Sequence, residues 1–250
     1  MSLFYKLVKR KIPLALISGL IYLIILIYSI VSANNNYYIY YPIEAYIFGS
    51  DFPDFVFPII VSLPFAYYSY YLSKNNFLNY VAMRIKPSEY IKRHIMSSIF
   101  LIFIMIFVVN FIGIIFSINI ASIGSDLHKP DYSEFILGSM QINNSIAFGF
   151  LWSLHKALIG SLIALLGQII SLYTNNLFLA LTGAFLYTML ENFLTATFGL
   201  QRFSLTTAFI LNRLDPRVVS YGNILVSILV FAGLIFIMEK ILRKSYEKKY

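Results

Sequence analysis

The stretch "IPLALISGLIYLIILIYSIV", residues 12–31, runs for twenty residues without a charge, and its reading decides the fold. A bilayer core about 30 Å thick takes about 20 apolar residues at about 1.5 Å rise each, so a run of this length reads as a membrane-spanning helix. The composition agrees: 59% of the residues are hydrophobic, 12% are charged, and the mean hydropathy is +0.77. No water-soluble domain of this length has such a composition. Cysteine is absent, which excludes disulfide frameworks, thiolate metal sites and cysteine nucleophiles.

Five further runs meet the same test. Residues 55–72 carry Pro58 and Pro64, which a spanning helix tolerates where neighbours satisfy the freed carbonyls. Residues 95–120 form the longest run. Residues 157–172 follow an apolar stretch at 146–154 and the pair His155 and Lys156. Residues 177–194 qualify with Glu191 admitted, and residues 218–238 with Asn223 admitted. The expectation is an all-α polytopic membrane protein, a single transmembrane domain over residues 1–250 with six spans and both termini on one side.

Orientation follows from the basic residues, because loops rich in Lys and Arg stay in the cytoplasm while acidic residues contribute little. Lys6, Lys9, Arg10 and Lys11 precede the first span. Lys74, Arg84, Lys86, Lys92 and Arg93 lie between the second and third, and Lys240, Arg243, Lys244, Lys248 and Lys249 end the chain. The opposite loops hold Glu44, Asp51, Asp54, Asp126, Asp131 and Glu134. Both termini are therefore expected in the cytoplasm, with the chain in the cell membrane. The net charge of +8 reads as an orientation signal and not as a nucleic-acid footprint. The first span has the basic start of a secretory signal, but it is too long and "SANNNYYIYY", residues 32–41, offers no small-residue cleavage site. Tyr37, Tyr38, Tyr40 and Tyr41 fit the aromatic belt of the outer interface.

The cytoplasmic loop after the second span holds "NFLNYVAMRIKPSEYIKRH", residues 76–94. Phe77, Leu78, Val81 and Ile85 recur at helical spacing on one face, with Asn79, Arg84 and Lys86 elsewhere. Pro87 breaks the pattern, and Ser88 is placed to cap a new helix from Glu89 into the third span. A solvated loop whose cations only enforce topology is the simpler reading. An ordered knob with its own apolar face points instead to a docking partner.

This corner, carried by Arg84, Lys86, Pro87, Ser88, Tyr90 and Lys92, resembles that of the permease subunits of type-2 ABC exporters. The layout is similar over almost the whole chain: an amphipathic start "SLFYKLVKRKI" (residues 2–12), six spans, a basic loop after the second, a tight turn "YTNN" (residues 173–176), and a semi-apolar external segment. The resemblance implies that Phe77, Leu78, Val81, Arg84, Ile85, Lys86, Pro87, Glu89 and Tyr90 form a coupling element pressed on by a separate ATPase subunit. It also implies a second permease copy, identical or related, meeting this one across spans that include the second and fifth. ATP and Mg would be bound by the partner, and this chain itself would carry no cofactor.

The external segment "TATFGLQRFSLTTAFILNRLDPRV", residues 195–218, is neither a span nor a polar loop. Residues 203–211 make about 13 Å of helix, too short to cross. With Gly199 as a break, two short helices dipping in from outside are expected, as the resemblance also implies; a helix lying flat on the lipid is the alternative. Glu191 reads as the only carboxylate within a span. It either reaches the interface beside Arg202 or, with Asn192, makes a polar contact or gate on a path. Gln168 and Asn110 are further path candidates, although such groups, like Asn223, more often bond a neighbouring helix. Trp152, His155 and Lys156 fit an anchor at the outer interface.

Catalytic and metal-binding patterns are missing: there is no Gly-x-Ser-x-Gly, no His-Glu-x-x-His, no paired glutamates, and no phosphate-binding Gly-x-x-x-x-Gly-Lys loop. The expectation is a non-enzymatic permease of an ATP-driven exporter, moving an amphipathic cargo such as a membrane-active peptide, a drug or a lipid-like molecule. A non-transporting assembly or sensor subunit docking another soluble partner is the alternative, followed by an intramembrane hydrolase.

Overall fold

The computed structural model of the chain describes residues 3–75, 77–124, 132, 135–211, 213–214 and 218–249, except for the side chains of Leu78 and of residues 242–249. Six helices among them are long and apolar enough to cross a bilayer: α1 (Leu3–Asn36), α3 (Asp51–Lys74), α5 (Pro87–Ile120), α7 (Ser145–Tyr173), α8 (Leu177–Thr197) and α10 (Tyr221–Lys249). Between them lie the short helices α2 (Glu44–Gly49), α4 (Phe77–Ala82), α6 (Gly138–Asn143) and α9 (Leu205–Phe209), and a 3-10 turn at Gln201–Phe203. The protein is an all-α, multi-pass membrane protein. Below, the end of the bundle that carries the two termini is the terminal end, and the other is the distal end.

Five of the expected spans lie inside one helix each, and the sixth begins three residues later, at Tyr221. The helices outrun the apolar runs at their charged ends. The start "SLFYKLVKRKI" is not a separate piece: α1 continues through it and past Pro13, because Lys11 there is buried and satisfied by α5. α3 takes in Asp51 and Asp54, and α7 takes in residues 145–156, so that Asp54 and Lys156 lie within helices rather than beside them. α5 begins at Pro87, with Lys86 as its extended N-cap (φ −59°, ψ 125°) and no cap from Ser88. Proline disfavours a helical residue before it and is preorganised for the first helical position. Asn176, in the tight turn, caps α8 by accepting from the amides of Phe178 (2.9 Å) and Leu179 (3.4 Å).

α7 is the centre of the bundle, packed against α5, α3 and α8. Its most apolar window is 72% buried, against 22% for α8 and 17% for α10, so the last two present most of their surface to the surroundings. Close approach of α7 to α3 depends on absent side chains: a Cβ on Gly160 would come within 2.8 Å of the Phe57 ring, and one on Gly167 within 2.7 Å of the Ser62 Cβ. Phe57 in turn packs between Tyr22 of α1 (5.8 Å between rings) and Phe209 of α9 (5.4 Å).

The distal end is closed by chain rather than left as loop. α2 is buried, with Tyr46 inaccessible, and every residue of α9 is buried. Among its described residues, the external segment comprises a 3-10 turn with no buried residue and one short helix sunk in the protein, rather than two dipping helices. Gly199 (φ +70°) ends α8 in the left-handed region, and the Leu200 amide donates back to the Thr195 carbonyl (2.7 Å), a glycine-terminated helix end. Of the acidic residues expected on this side, Asp126, Asp131 and Glu134 fall outside the described residues.

Helix α2 docks on α1 so tightly that a Cβ on Gly49 would fall 2.7 Å from the Ile30 Cα. Backbone cannot yield as a side chain does, and overpacking of this kind costs about 1–3 kcal/mol. Gly49→Ala is expected to lower the thermal unfolding midpoint of the detergent-solubilised protein by several degrees, whereas Gly233→Ala, whose Cβ meets nothing within 4 Å, leaves it unchanged.

Candidate functional site

At the distal end, two charges are enclosed by protein. Lys156 of α7 is 0% exposed and Asp54 of α3 is 1% exposed, and they form an ion pair of 2.5 Å. Lys156 Nζ also donates to the Tyr46 hydroxyl (3.2 Å), which donates to Asn110 Oδ1 (2.9 Å); Asn110 Nδ2 in turn meets the Ile106 carbonyl (2.9 Å). Burial pushes the Tyr46 hydroxyl up to about 12 in spite of Lys156, so it keeps its proton and serves as the donor to Asn110. Four helices are joined through one network. Lys156 is therefore not an interfacial anchor, and neither is Trp152, which is buried, while His155 Nε2 contacts the Ala208 carbonyl of α9 (2.7 Å).

Two cavities at this end share Asp51, Ile210 and Arg213, and the smaller of them meets the network at Asp54. The larger, about 550 Å³, is mostly apolar and is lined among others by Phe48, Trp152 and Leu211, with Glu44 at its edge. Glu44, expected as a loop acid, is buried and accepts from the amides of Tyr40 (2.6 Å) and Tyr41 (3.1 Å) and from the Tyr132 hydroxyl. The smaller, about 320 Å³, lies among α3, α8 and α9 and is lined by Asp54, Asn192 and Thr206 with apolar Phe55, Met189 and Phe209.

The other path candidates fall into place around these features. Glu191 does not pair with Arg202, whose guanidinium lies over the Phe203 ring (5.0 Å). It accepts from the Ser204 hydroxyl (2.9 Å) and the Leu205 amide (3.0 Å), while Arg213 donates to the same hydroxyl (3.1 Å). A carboxylate on the first amide of α9 satisfies an otherwise orphaned donor, and this is what holds the short helix against α8. Asn192 beside it lines the smaller cavity. Gln168 is buried in α7, with its amide nitrogen on the Ala164 carbonyl (3.3 Å) and its amide oxygen without a partner.

At the terminal end, Lys11 is 1% exposed and donates to the His94 carbonyl (2.6 Å) and to the hydroxyls of Ser97 (2.8 Å) and Ser98 (2.7 Å). It locks the start of α1 to the start of α5 and is not a loop cation. Next to this lock, α4 faces differently from the expected arrangement. Val81 is buried among Leu7, Leu72, Ile91 and Leu172, Ile85 packs against the same cluster, and Tyr90 is buried there with its ring 5.9 Å from that of Phe77. The Leu78 side chain falls outside the described residues. What α4 and the turn after it offer to the outside is Phe77, Tyr80 and Met83, at 41%, 65% and 75% exposed, beside exposed Arg84, Lys86 and Lys92. Glu89 pairs with Arg93 one turn on.

Comparison of the chain with protein-family models, with curated proteins and with solved structures returns no match. Among the described residues no group of three His, Asp or Glu stands close enough together to hold a metal.

Removing one partner of a buried ion pair leaves an uncompensated charge and costs about 3–5 kcal/mol, while replacing both is far milder. Lys156→Met alone and Asp54→Leu alone are each expected to reduce the yield of monodisperse protein severely. The double replacement is expected to recover most of it, as read by size-exclusion chromatography and thermal unfolding.

Proposed function

We propose that this chain is the membrane-spanning permease subunit of an ATP-driven ABC exporter, which passes an amphipathic cargo outward in company with a separate ATPase subunit and a second permease copy. The observation that carries the reading is α4: a six-residue helix between two spans that holds its inner face to the bundle and, with the turn after it, shows Phe77, Tyr80 and Met83 outward among cations. Large apolar side chains exposed beside charges fit a partner's pocket, with the apolar anchors supplying most of the affinity and the rim charges the steering. The ATPase is that partner. It carries ATP and Mg, closes on nucleotide, and pushes the α4 corner and the start of α5 as one unit.

The barely buried α8 supplies, with α3, a face for the second copy, and the mostly apolar distal cavities suit an amphipathic cargo better than an ion or a sugar. In this reading the terminal end, with its basic residues, is cytoplasmic and the membrane is the cell membrane. A reporter that is active only outside the cell is then expected to be silent after Tyr250 and active when inserted at His128; the reverse result would turn the bundle over.

The partner surface is tested by substitution. Tyr80→Asp combined with Met83→Asp is expected to leave thermal stability and membrane insertion intact while cutting the co-purified, vanadate-sensitive ATPase at least tenfold, since losing a desolvated apolar anchor costs about 2 kcal/mol or more. Lys86→Ala is expected to weaken retention only slightly and in a salt-dependent way. Val81→Asp buries a charge and is expected to lower the amount of folded chain instead. Full retention of the ATPase by the Tyr80 and Met83 variant would remove the coupling role from α4.

A further inference from the structure

Three oxygens at the smaller cavity are buried and accept no hydrogen bond: Asp54 Oδ2 on α3, Asn192 Oδ1 on α8 and Thr206 Oγ1 on α9. Asp54 is 1% exposed and Thr206 is 4% exposed. Lys156 serves the other oxygen of Asp54 (2.5 Å), and Arg213 Nη1 donates to the Ser204 hydroxyl (3.1 Å). Leaving a buried acceptor unserved is costly, and for a carboxylate oxygen more so.

The geometry points to this cavity as a binding site for a primary ammonium carried on an apolar body. A primary ammonium offers three N–H donors and no acceptor, which matches three acceptor oxygens contributed by three different helices. The Asp54 carboxylate supplies an acidic group on the cavity wall, as a cationic headgroup requires. The apolar part has walls to lie on: Met189, Phe209 and Phe55 line the cavity, and Phe55, 49% exposed, stands edge-on to Phe185 of α8 (5.7 Å).

This inference concerns binding by the single chain and does not depend on the ATPase or on transport. Its failure would leave the coupling reading untouched, and loss of the ATPase would leave this site in place.

The test uses the full chain in dodecyl maltoside, with decylammonium chloride as the probe. Decylammonium is expected to raise the unfolding midpoint by several degrees in a saturable way. Decyltrimethylammonium, equally charged and apolar but without an N–H donor, is expected to act at least tenfold more weakly. Asn192→Leu and Thr206→Val each remove one acceptor while sparing the Asp54–Lys156 pair, and each is expected to weaken the decylammonium response about tenfold with little change in the midpoint of the unliganded protein. Equal responses to the two amphiphiles, or undiminished responses in both variants, would show apolar partition alone and overturn the site. Two competition arms identify the source of the amine. Displacement of decylammonium by phosphatidylethanolamine but not phosphatidylcholine assigns it to a lipid headgroup. Displacement by a lysine-rich amphipathic peptide, abolished when its amines are acetylated, assigns it to a peptide. Displacement by neither would reduce the cavity to an adventitious alkylamine pocket and overturn the proposal.

Discussion

The structure depends on a lysine and an aspartate that meet where solvent does not reach. Removing two charges from water costs several kcal/mol each, and their mutual attraction offsets this only when geometry is good and the remaining polar atoms are served. The Lys156–Asp54 pair meets those conditions in part, through Tyr46 and Asn110. The partners lie 102 residues apart in sequence, so the pair cannot form until α3 and α7 are side by side. Once it forms, it fixes their register, seats α2 over them through Tyr46, and places Asp54 in the wall of the smaller distal cavity. An apolar seam between the same helices, built on glycines at 160 and 167, would tolerate sliding. A single buried pair does not.

The two ends of the bundle are built to opposite plans. At the distal end, α2 and α9 fold inward, with Glu44 served by the amides before it and Glu191 by the start of α9. At the terminal end, Lys11 anchors the bundle internally while α4 keeps apolar side chains turned out. A closed end with cavities and an open end with an exposed apolar knob present very different surfaces to whatever meets them.

The fold class was legible because uninterrupted apolar length is a local property, and six runs carried it. Their ends were less legible, since the helices continue into charged residues that only tertiary partners make tolerable. Lys156 read as an interfacial anchor because its neighbours His155 and Trp152 fit that role and its true partner is remote in sequence. A basic residue between two apolar stretches, with an aspartate at the mouth of another span, was the signal that could have paired them. The α4 corner was found from its spacing, but periodicity gives a face and not its direction: Val81 and Ile85 turned inward, which left Tyr80 and Met83 outside. Helices of five or six residues such as α2, α6 and α9 leave no periodic trace; α2 and α9 form where burial holds them, and α9 is also capped by Ser204.

Helix α5 has a mechanical consequence. Its 34 residues make a rod of about 51 Å, against a hydrocarbon layer of about 30 Å. Even tilted, it stands well clear of the membrane, and α1, of equal length, is lashed to its root by the Lys11 ammonium. The two act as a mast with a stay. With no proline after Pro87 in α5 to act as a joint, torque applied at that foot arrives at Ile120 as rotation of the whole spar and not as a bend part-way up.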